Sequence, residues 1–344
     1  MSRDEWPLPP HYDSGRTHEI WRPDSGDLAK AAADWRRMHD LQPTAAAAQR
    51  IALLLVDVQN SFCLPGFELF VGGSTGNGAA EDNRRLCEFI YRNIGLITHI
   101  SATMDTHQPI QIFHPCFWID QQGRHPAPFT LITTEDVERQ RWAVDPGVSA
   151  ALEMEPDYLH RYVLHYTHTL EEGGKYDLTI WPYHVLLGSL GHALVPSVQE
   201  AIFFHSLARQ AQPTFHVKGD NPLTEHYSVL GPEVTTGPEG EQMGARNESF
   251  VSRLLGFDVV VVAGQAKSHC LAWTIDDLLE EIELRNRRLA EKIYLLEDCT
   301  SPVVVPGVMD YADVADAAFR RFEQCGMKIV RSTEPMHRWP GIDL

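Results

Sequence analysis

The sequence has no CxxC pair, no apolar run long enough to cross a membrane and no surplus of basic charge. Each absence removes a class of function. The six cysteines, Cys63, Cys87, Cys116, Cys270, Cys299 and Cys325, are scattered, which fits neither a zinc ribbon nor a disulfide scaffold. A chain of 344 residues buries a core without such staples. The 29 Lys and Arg residues face 47 Asp and Glu, a formal charge of -18. Such a chain repels a phosphate backbone, so no nucleic-acid partner is expected. Without an apolar span no membrane role is expected either. The opening MSRDEWPLPP has neither a basic cluster followed by an apolar stretch nor a small-residue cleavage site, and a cytoplasmic protein is expected. The run GGSTGNG, Gly72 to Gly78, lacks the GK[ST] ending of a phosphate loop and is expected to be a flexible loop. There is no internal repeat.

What remains is a soluble globular composition with a strong alternation of elements. Residues 1–48 are rich in Pro, Asp, Arg and Trp and form an N-terminal extension; the main domain is expected over 49–344. From Ile51 onward, short β-branched runs (IALLLVD, LITHISATMD, TFHVKG, DVVVVAG, KIYLLED, MKIVRS) alternate with amphipathic segments such as EDNRRLCEFIYRNI and DVADAAFRRFEQC. Apolar runs of this length between helical patterns predict an α/β domain, a three-layer αβα sandwich around a mostly parallel sheet. Between His107 and Trp181 the pattern lapses into His, Pro, Tyr and acidic residues. An insertion at about 119–180, acting as a lid or subdomain, is expected there.

In parallel sheets ligands gather at the carboxyl ends of the strands. Asp57 closes IALLLVD, Lys218 closes TFHVK, and Cys270 follows DVVVVAG after a turn. Cys270 reads as the second residue of a helix capped by Ser268. A thiol there feels the positive end of the helix dipole, which lowers its pKa, and the free amides of the Ala266 to Cys270 turn can hold an oxyanion. A carboxylate to take the thiol proton and an ammonium to hold anions would complete an acyl-transfer site. Each residue also has a bland explanation, since a lone Cys at a helix start is more often packing, Asp57 can cap a turn and Lys218 can be solvated. Asp105 and His107, two apart in an extended segment, point the same way and suit a divalent ion such as Zn, Fe or Mn. For a further ligand the spacing leaves His114, His184 and the insertion's histidines all open.

The segments LLLVDVQNSFCLPGFEL, MDTH, WPYH, VKGDNPLTEHYS and VVVVAGQAKSHCLAWTIDDL, in this order, resemble the nicotinamidase branch of the isochorismatase-like cysteine hydrolases. The resemblance runs from about Ile51 to Val330, interrupted by the insertion. It implies a six-stranded sheet and a catalytic triad of Cys270, Asp57 and Lys218. It also implies metal ligands Asp105, His107 and His184, leaving His114 without a role. Phe62 and Trp181 would sandwich the substrate ring, a cis peptide would join Gln265 to Ala266, and the Ala266 and Cys270 amides would be the oxyanion donors. The implied reaction is hydrolysis of nicotinamide to nicotinate and ammonia through a thioester on Cys270, a step of NAD salvage. The implied cofactor is a divalent metal, zinc first, and the implied partners are a small carboxamide and further copies of the chain. Three departures touch the pocket: Thr106 stands where the family usually has Trp, Val185 where it often has Cys, and QIFH follows the metal pair. They leave open a relative acting on an N-carbamoyl, ureido or other small amide. A catalytically silent binding protein is the alternative of a different class. Isochorismatase chemistry is disfavoured because it needs no thiol nucleophile.

Overall fold

A computed structural model describes residues 5–173 and 176–342. Six strands form its main sheet: β1 (Ile51–Val56), β2 (His99–Asp105), β3 (Thr214–Lys218), β4 (Val259–Gly264), β5 (Ile293–Leu296) and β6 (Lys328–Val330). Their order across the sheet is β6-β5-β4-β1-β2-β3, and every pairing is parallel. The expected six-stranded αβα sandwich is what the chain forms.

The alternation of side chains along each strand builds the layers. Ile51, Leu53 and Leu55 of β1, with Val261 and Ala263 of β4, point to one face, where they meet α1 (Ser25–His39), α2 (Gly78–Arg92) and the helix Pro196–Arg209. Ala52, Leu54 and Val56, with Val260 and Val262, point to the other, against Cys270–Arg285, Ala312–Gln324 and the short helix Glu248–Leu254. Because both faces are covered, the central strands read as unbroken apolar runs. No described helix is long and apolar enough to cross a membrane.

The stretch that showed no periodicity in the sequence holds a seventeen-residue helix, Pro156–Glu172. Its buried face is Leu159, Tyr162, Val163, Tyr166, Thr167 and Leu170, a regular helical spacing in which half of the residues carry hydroxyls. Their polarity hid the stripe. That face joins Trp118, Ile132 and Ile180 in a hydrophobic cluster of its own. Two short antiparallel pairs tie the segment together: Trp118–Ile119 with Ala143–Val144, and Leu131–Ile132 with Leu178–Thr179. The glycine-rich run is also more built in than expected. Gly78 N–H donates to Gly72 O at 2.7 Å and Ala79 N–H to Val71 O at 3.0 Å, closing the neck of the loop where α2 begins.

Gly264 ends β4 where the chain must turn towards Cys270. Its φ is +120°, and a Cβ there would lie 2.1 Å from the Val56 carbonyl of β1. Neither central strand can retreat. Gly264→Ala is therefore expected to cost on the order of 4 kcal/mol or more, seen as a lower urea midpoint. An unchanged midpoint would show that the strands can part.

Candidate active site

The sheet order sets β4, β1, β2 and β3 side by side, so their carboxyl ends bring residues far apart in the chain to one edge. Asp57 follows β1, Asp105 ends β2 opposite Lys218 at the end of β3, and Cys270 follows the turn after β4. Lys218 is 1% exposed. Its ammonium lies 3.0 Å from Asp57 Oδ2, 2.9 Å from Asp105 Oδ1, 2.8 Å from the His226 carbonyl and 3.7 Å from Cys270 Sγ. Three protons thus serve four neighbours. Asp57 is held in a left-handed backbone conformation, φ +47°. Thr103 Oγ1 donates to its carboxylate at 2.5 Å and accepts its N–H at 3.0 Å.

The charge state differs from the sequence expectation. Burial pushes the Cys270 thiol well up; the Lys218 charge opposes this and the Asp57 charge adds to it. Burial likewise raises the Asp57 carboxyl against the pull of Lys218. A helix dipole acting on a first-turn residue is too weak to reverse desolvation on this scale. Asp105 behaves oppositely: burial would raise it, but His107 and Lys218 hold it well below the usual carboxylate range. Lys218 therefore faces Asp105 held firmly as a carboxylate, while Asp57 and Cys270, both raised by burial, offer acceptor atoms within 4.8 Å of each other.

The turn before the thiol carries the expected cis peptide, Gln265 to Ala266. The helix starts at Cys270, with His269 as its N-cap residue and no side-chain cap. Ser268 does not cap it, because Ser268 Oγ accepts Val303 N–H at 3.0 Å and lies 2.8 Å from His269 Nδ1. Ala266 O accepts from His269 and Leu271, while among the described residues the Ala266 and Cys270 N–H groups make no hydrogen bond. Two residues missed in the sequence brace this turn. Asp82 accepts from Gln265 Nε2 at 2.9 Å and from Ser301 Oγ at 2.7 Å, and Ser301 O accepts Lys267 N–H at 2.8 Å. Asp82 sits on the buried stripe of α2 with Ala79, Leu86 and Phe89. A carboxylate in an apolar stripe is the signal that marked it.

Beside the thiol lies an imidazole cluster. His107, His114 and His184 each offer a nitrogen within 4.8 Å of the others, and Asp105 Oδ2 is 3.2 Å from His107 Nε2. His184 Nδ1 lies 2.7 Å from Pro182 O and His114 Nδ1 3.1 Å from Pro109 O. A carbonyl at Nδ1 fixes that proton and leaves Nε2 a lone pair, the usual outer support of a metal-binding imidazole. His114 Nε2 and His107 Nδ1 are buried without a hydrogen-bond partner among the described residues. Burial and the neighbouring His107 lower His184 well below the ordinary range and His114 to about 4, so both are in the neutral, ligating form. The donor set fits a divalent ion, with His114 placed beside the three expected residues. Gly219 makes the room: a Cβ there would meet Asp105 Oδ1 at 2.6 Å.

Phe62 and Trp181 both line the pocket that leads to Cys270, His107 and His184. Trp181 is tied by a third missed residue, Glu225. Glu225 Oε1 accepts from Trp181 Nε1 at 3.3 Å and Tyr227 OH at 2.6 Å, and Oε2 accepts from Tyr166 OH at 3.3 Å. Burial pushes its carboxyl up to about 8. Of the departures, neither Thr106 nor Val185 reaches the pocket. Thr106 Oγ1 is bound to His192 Nε2 at 2.8 Å, and Val185, at φ +42°, is packed in the core and donates its N–H to Ser61 Oγ. In place of a side chain in the pocket wall, the motif glutamine Gln59 supports Asp105 by bonding both its N–H and its carbonyl at 2.8 Å.

These charges predict how Cys270 reacts with iodoacetamide. Labelling is expected to be slow at neutral pH and to rise with pH. Lys218→Met removes the charge that lowers the thiol pKa and slows it further. Asp57→Asn removes the charge that raises it and speeds it, by roughly tenfold for each unit of pKa. Fast labelling of the wild type at pH 7, unchanged by either substitution, would contradict this charge assignment.

No family model and no curated protein matches the sequence. Solved structures do. A yeast nicotinamidase bound to the inhibitor nicotinaldehyde is 15% identical, with 82% of this chain and 99% of that one aligned at a TM-score of 0.50. An Acinetobacter baumanii nicotinamidase and pyrazinamidase is 19% identical over 84% of this chain and 99% of that one, at 0.48. A Pyrococcus horikoshii pyrazinamidase in complex with zinc is 18% identical over 82% and 99%, at 0.42. Together with the parallel six-stranded sheet, the yeast comparison establishes that this chain has the fold of a nicotinamidase.

Proposed function

We propose that the protein is a cysteine amidohydrolase that converts nicotinamide to nicotinate and ammonia. One observation carries this reading: a buried thiol, a carboxylate and an ammonium meet two backbone amides that make no hydrogen bond among the described residues, beside a pocket lined by Phe62 and Trp181. The yeast neighbour's bound nicotinaldehyde, a pyridine aldehyde, supports the choice of ring.

In this reading Asp57 takes the Cys270 proton as the thiolate attacks the carboxamide carbon. Lys218 stays charged throughout, because burial alone would lower its pKa but Asp105 and Asp57 hold it raised. The Ala266 and Cys270 N–H groups receive the oxyanion, an arrangement that needs no reorganisation because nothing else occupies them. Collapse of the adduct breaks the C–N bond, and Asp57 returns its proton to the leaving ammonia. Asp57 then draws a proton from water, which attacks the thioester, releasing the acid and restoring the thiol. Phe62 and Trp181 hold the ring flat between them, so that the amide is presented to Sγ. Asp105, His107 and His184, with His114 adjoining, would hold a divalent ion, zinc first. When bound, that ion supplies a Lewis-acidic contact for the ring nitrogen or for a water beside it.

Ammonia release from nicotinamide is expected from the purified protein, with a loss on the order of a thousandfold or more in Cys270→Ala. A folded, metal-loaded sample that releases none would rule out nicotinamide and direct the search to ureido and other small amides. His114→Ala is expected to weaken metal retention by about 10- to 100-fold, measured by metal analysis after dialysis against a graded chelator. Equal retention by the variant and the wild type would remove His114 from the site.

A further inference from the structure

The glycine-rich run Gly72 to Gly78 takes no part in bond breaking, yet one residue links it to the nucleophile turn. A Cβ on Gly78 would lie 2.4 Å from Ser301 Oγ and 2.8 Å from Ser301 Cβ, and one on Gly73 would lie 3.2 Å from Ser301 Cβ. The run lies directly against Ser301. That serine in turn joins α2 to the turn after β4: its hydroxyl donates to Asp82 Oδ2 at 2.7 Å, its N–H to Gln265 Oε1 at 3.2 Å, and its carbonyl accepts the Lys267 N–H at 2.8 Å. Gln265 Nε2 closes the ring of bonds with Asp82 Oδ2 at 2.9 Å.

The consequence falls on Ala266, which stands between the two residues so held. Gln265 is also fixed by its N–H, which donates to Val56 O at 2.7 Å, and Lys267 by its ammonium, 2.6 Å from Asp316 Oδ1. Both neighbours are pinned, while the Ala266 N–H makes no hydrogen bond among the described residues. An oxyanion donor is effective only if it is fixed before the charge develops, and a misplacement of about 1 Å can cost on the order of a hundredfold in rate. Asp82 is 3% exposed, and its other oxygen accepts from Arg85 Nη2 at 2.8 Å. Every one of these partners donates to it. An amide at this position would have to turn its own NH2 towards one of the donors. The charges that chiefly move the Cys270 thiol belong to Lys218, Asp57 and Asp105, so Asp82 reaches the site through position.

We propose that Asp82, with Ser301 and the glycine-rich run packed behind it, is the positioning residue of the oxyanion site, holding Gln265 and Lys267 so that the Ala266 N–H is aimed at the adduct. This assignment rests on the amidohydrolase reading for the adduct it serves. The oxyanion exists only after the thiol has added, so the contribution falls on kcat and leaves KM and the thiol as they are.

The test compares the full-length wild type with Asp82→Asn, Ser301→Ala and Gly78→Ala in two reactions of Cys270. Hydrolysis of nicotinamide passes through an oxyanion, whereas alkylation by iodoacetamide displaces iodide from a saturated carbon and forms none. Each variant is expected to lose about 10- to 100-fold in kcat, with KM and the alkylation rate within twofold of the wild type. Unchanged kcat overturns the proposal. A parallel loss in kcat, substrate affinity and alkylation also overturns it, because that is the mark of a merely structural role. Should Asp82→Asn fail to fold, Ser301→Ala and Gly78→Ala decide by the same criteria. Release of nitrophenolate from p-nitrophenyl acetate, which acylates a thiol through the same kind of adduct and has no pyridine ring, separates the two readings. A wild type inert towards nicotinamide, whose Cys270-dependent nitrophenolate release falls in the variants while alkylation holds, sustains the positioning role and sinks the nicotinamide reading. Nicotinamide hydrolysis that the variants retain in full does the reverse, and a wild type that releases neither product overturns both.

Discussion

One buried ammonium organises the site. Asp57 and Asp105 come from adjacent strands, with acceptor atoms within 4.8 Å of each other, and two carboxylates so close and so buried are tolerable only around a fixed positive charge. Lys218 supplies it from the third strand, within 3.0 Å of both. Removing one partner from such an arrangement typically costs about 3–5 kcal/mol, because the remaining charge is left buried and unpaired. The same ammonium biases the thiol, orients Asp105 towards His107 and pulls the Asp57 carboxyl against Thr103. Chemistry and stability thus depend on the same atoms.

Around this charge the pocket has two kinds of wall. Asp57, Asp105 and Lys218 stand on the ends of a rigid sheet whose strands are buried on both faces. The other wall is different: Trp181 belongs to the hydrophobic cluster built by the segment around the helix Pro156–Glu172. Glu225 fastens that cluster to the loop after β3, taking donors from Tyr166, Trp181 and Tyr227. Holding one wall of the pocket on a separately packed unit, clamped at one buried carboxyl, lets that wall vary while the sheet stays fixed.

The sheet was legible because unbroken β-branched runs such as Val259 to Val262 have few other uses, and the polar residues just past them marked the edge where ligands collect. That Asp57, Lys218 and Cys270 would meet at that edge was legible for the same reason. The helix Pro156–Glu172 was not, because hydrophobicity scales discount a face built from Tyr162, Tyr166 and Thr167 although each buries most of its surface. Nor was the ionisation of Cys270, since a position at a helix start says nothing about how completely the thiol is desolvated. Asp82 and Glu225 escaped because their partners lie far along the chain, at Gln265 and Ser301 for one and at Tyr166 and Trp181 for the other. Thr106 drew attention as a departure from a pattern, yet its hydroxyl turns to His192 and away from the pocket.

The strand order carries a consequence for how the protein matures. The chain threads β1 first, returns to it from one side with β2 and β3, and only after residue 258 lays β4 against its other side. Asp57 and Asp105 are therefore made long before Cys270 exists, and the thiol comes within reach of Asp57 and Lys218 only when β4 has docked in register, Ile51 against Val259 through Val56 against Gly264. Pairings across such sequence distances are late and slow events in folding. A nascent or misassembled chain holds the thiol apart from Asp57 and Lys218, so the buried cluster is completed only with the finished sheet.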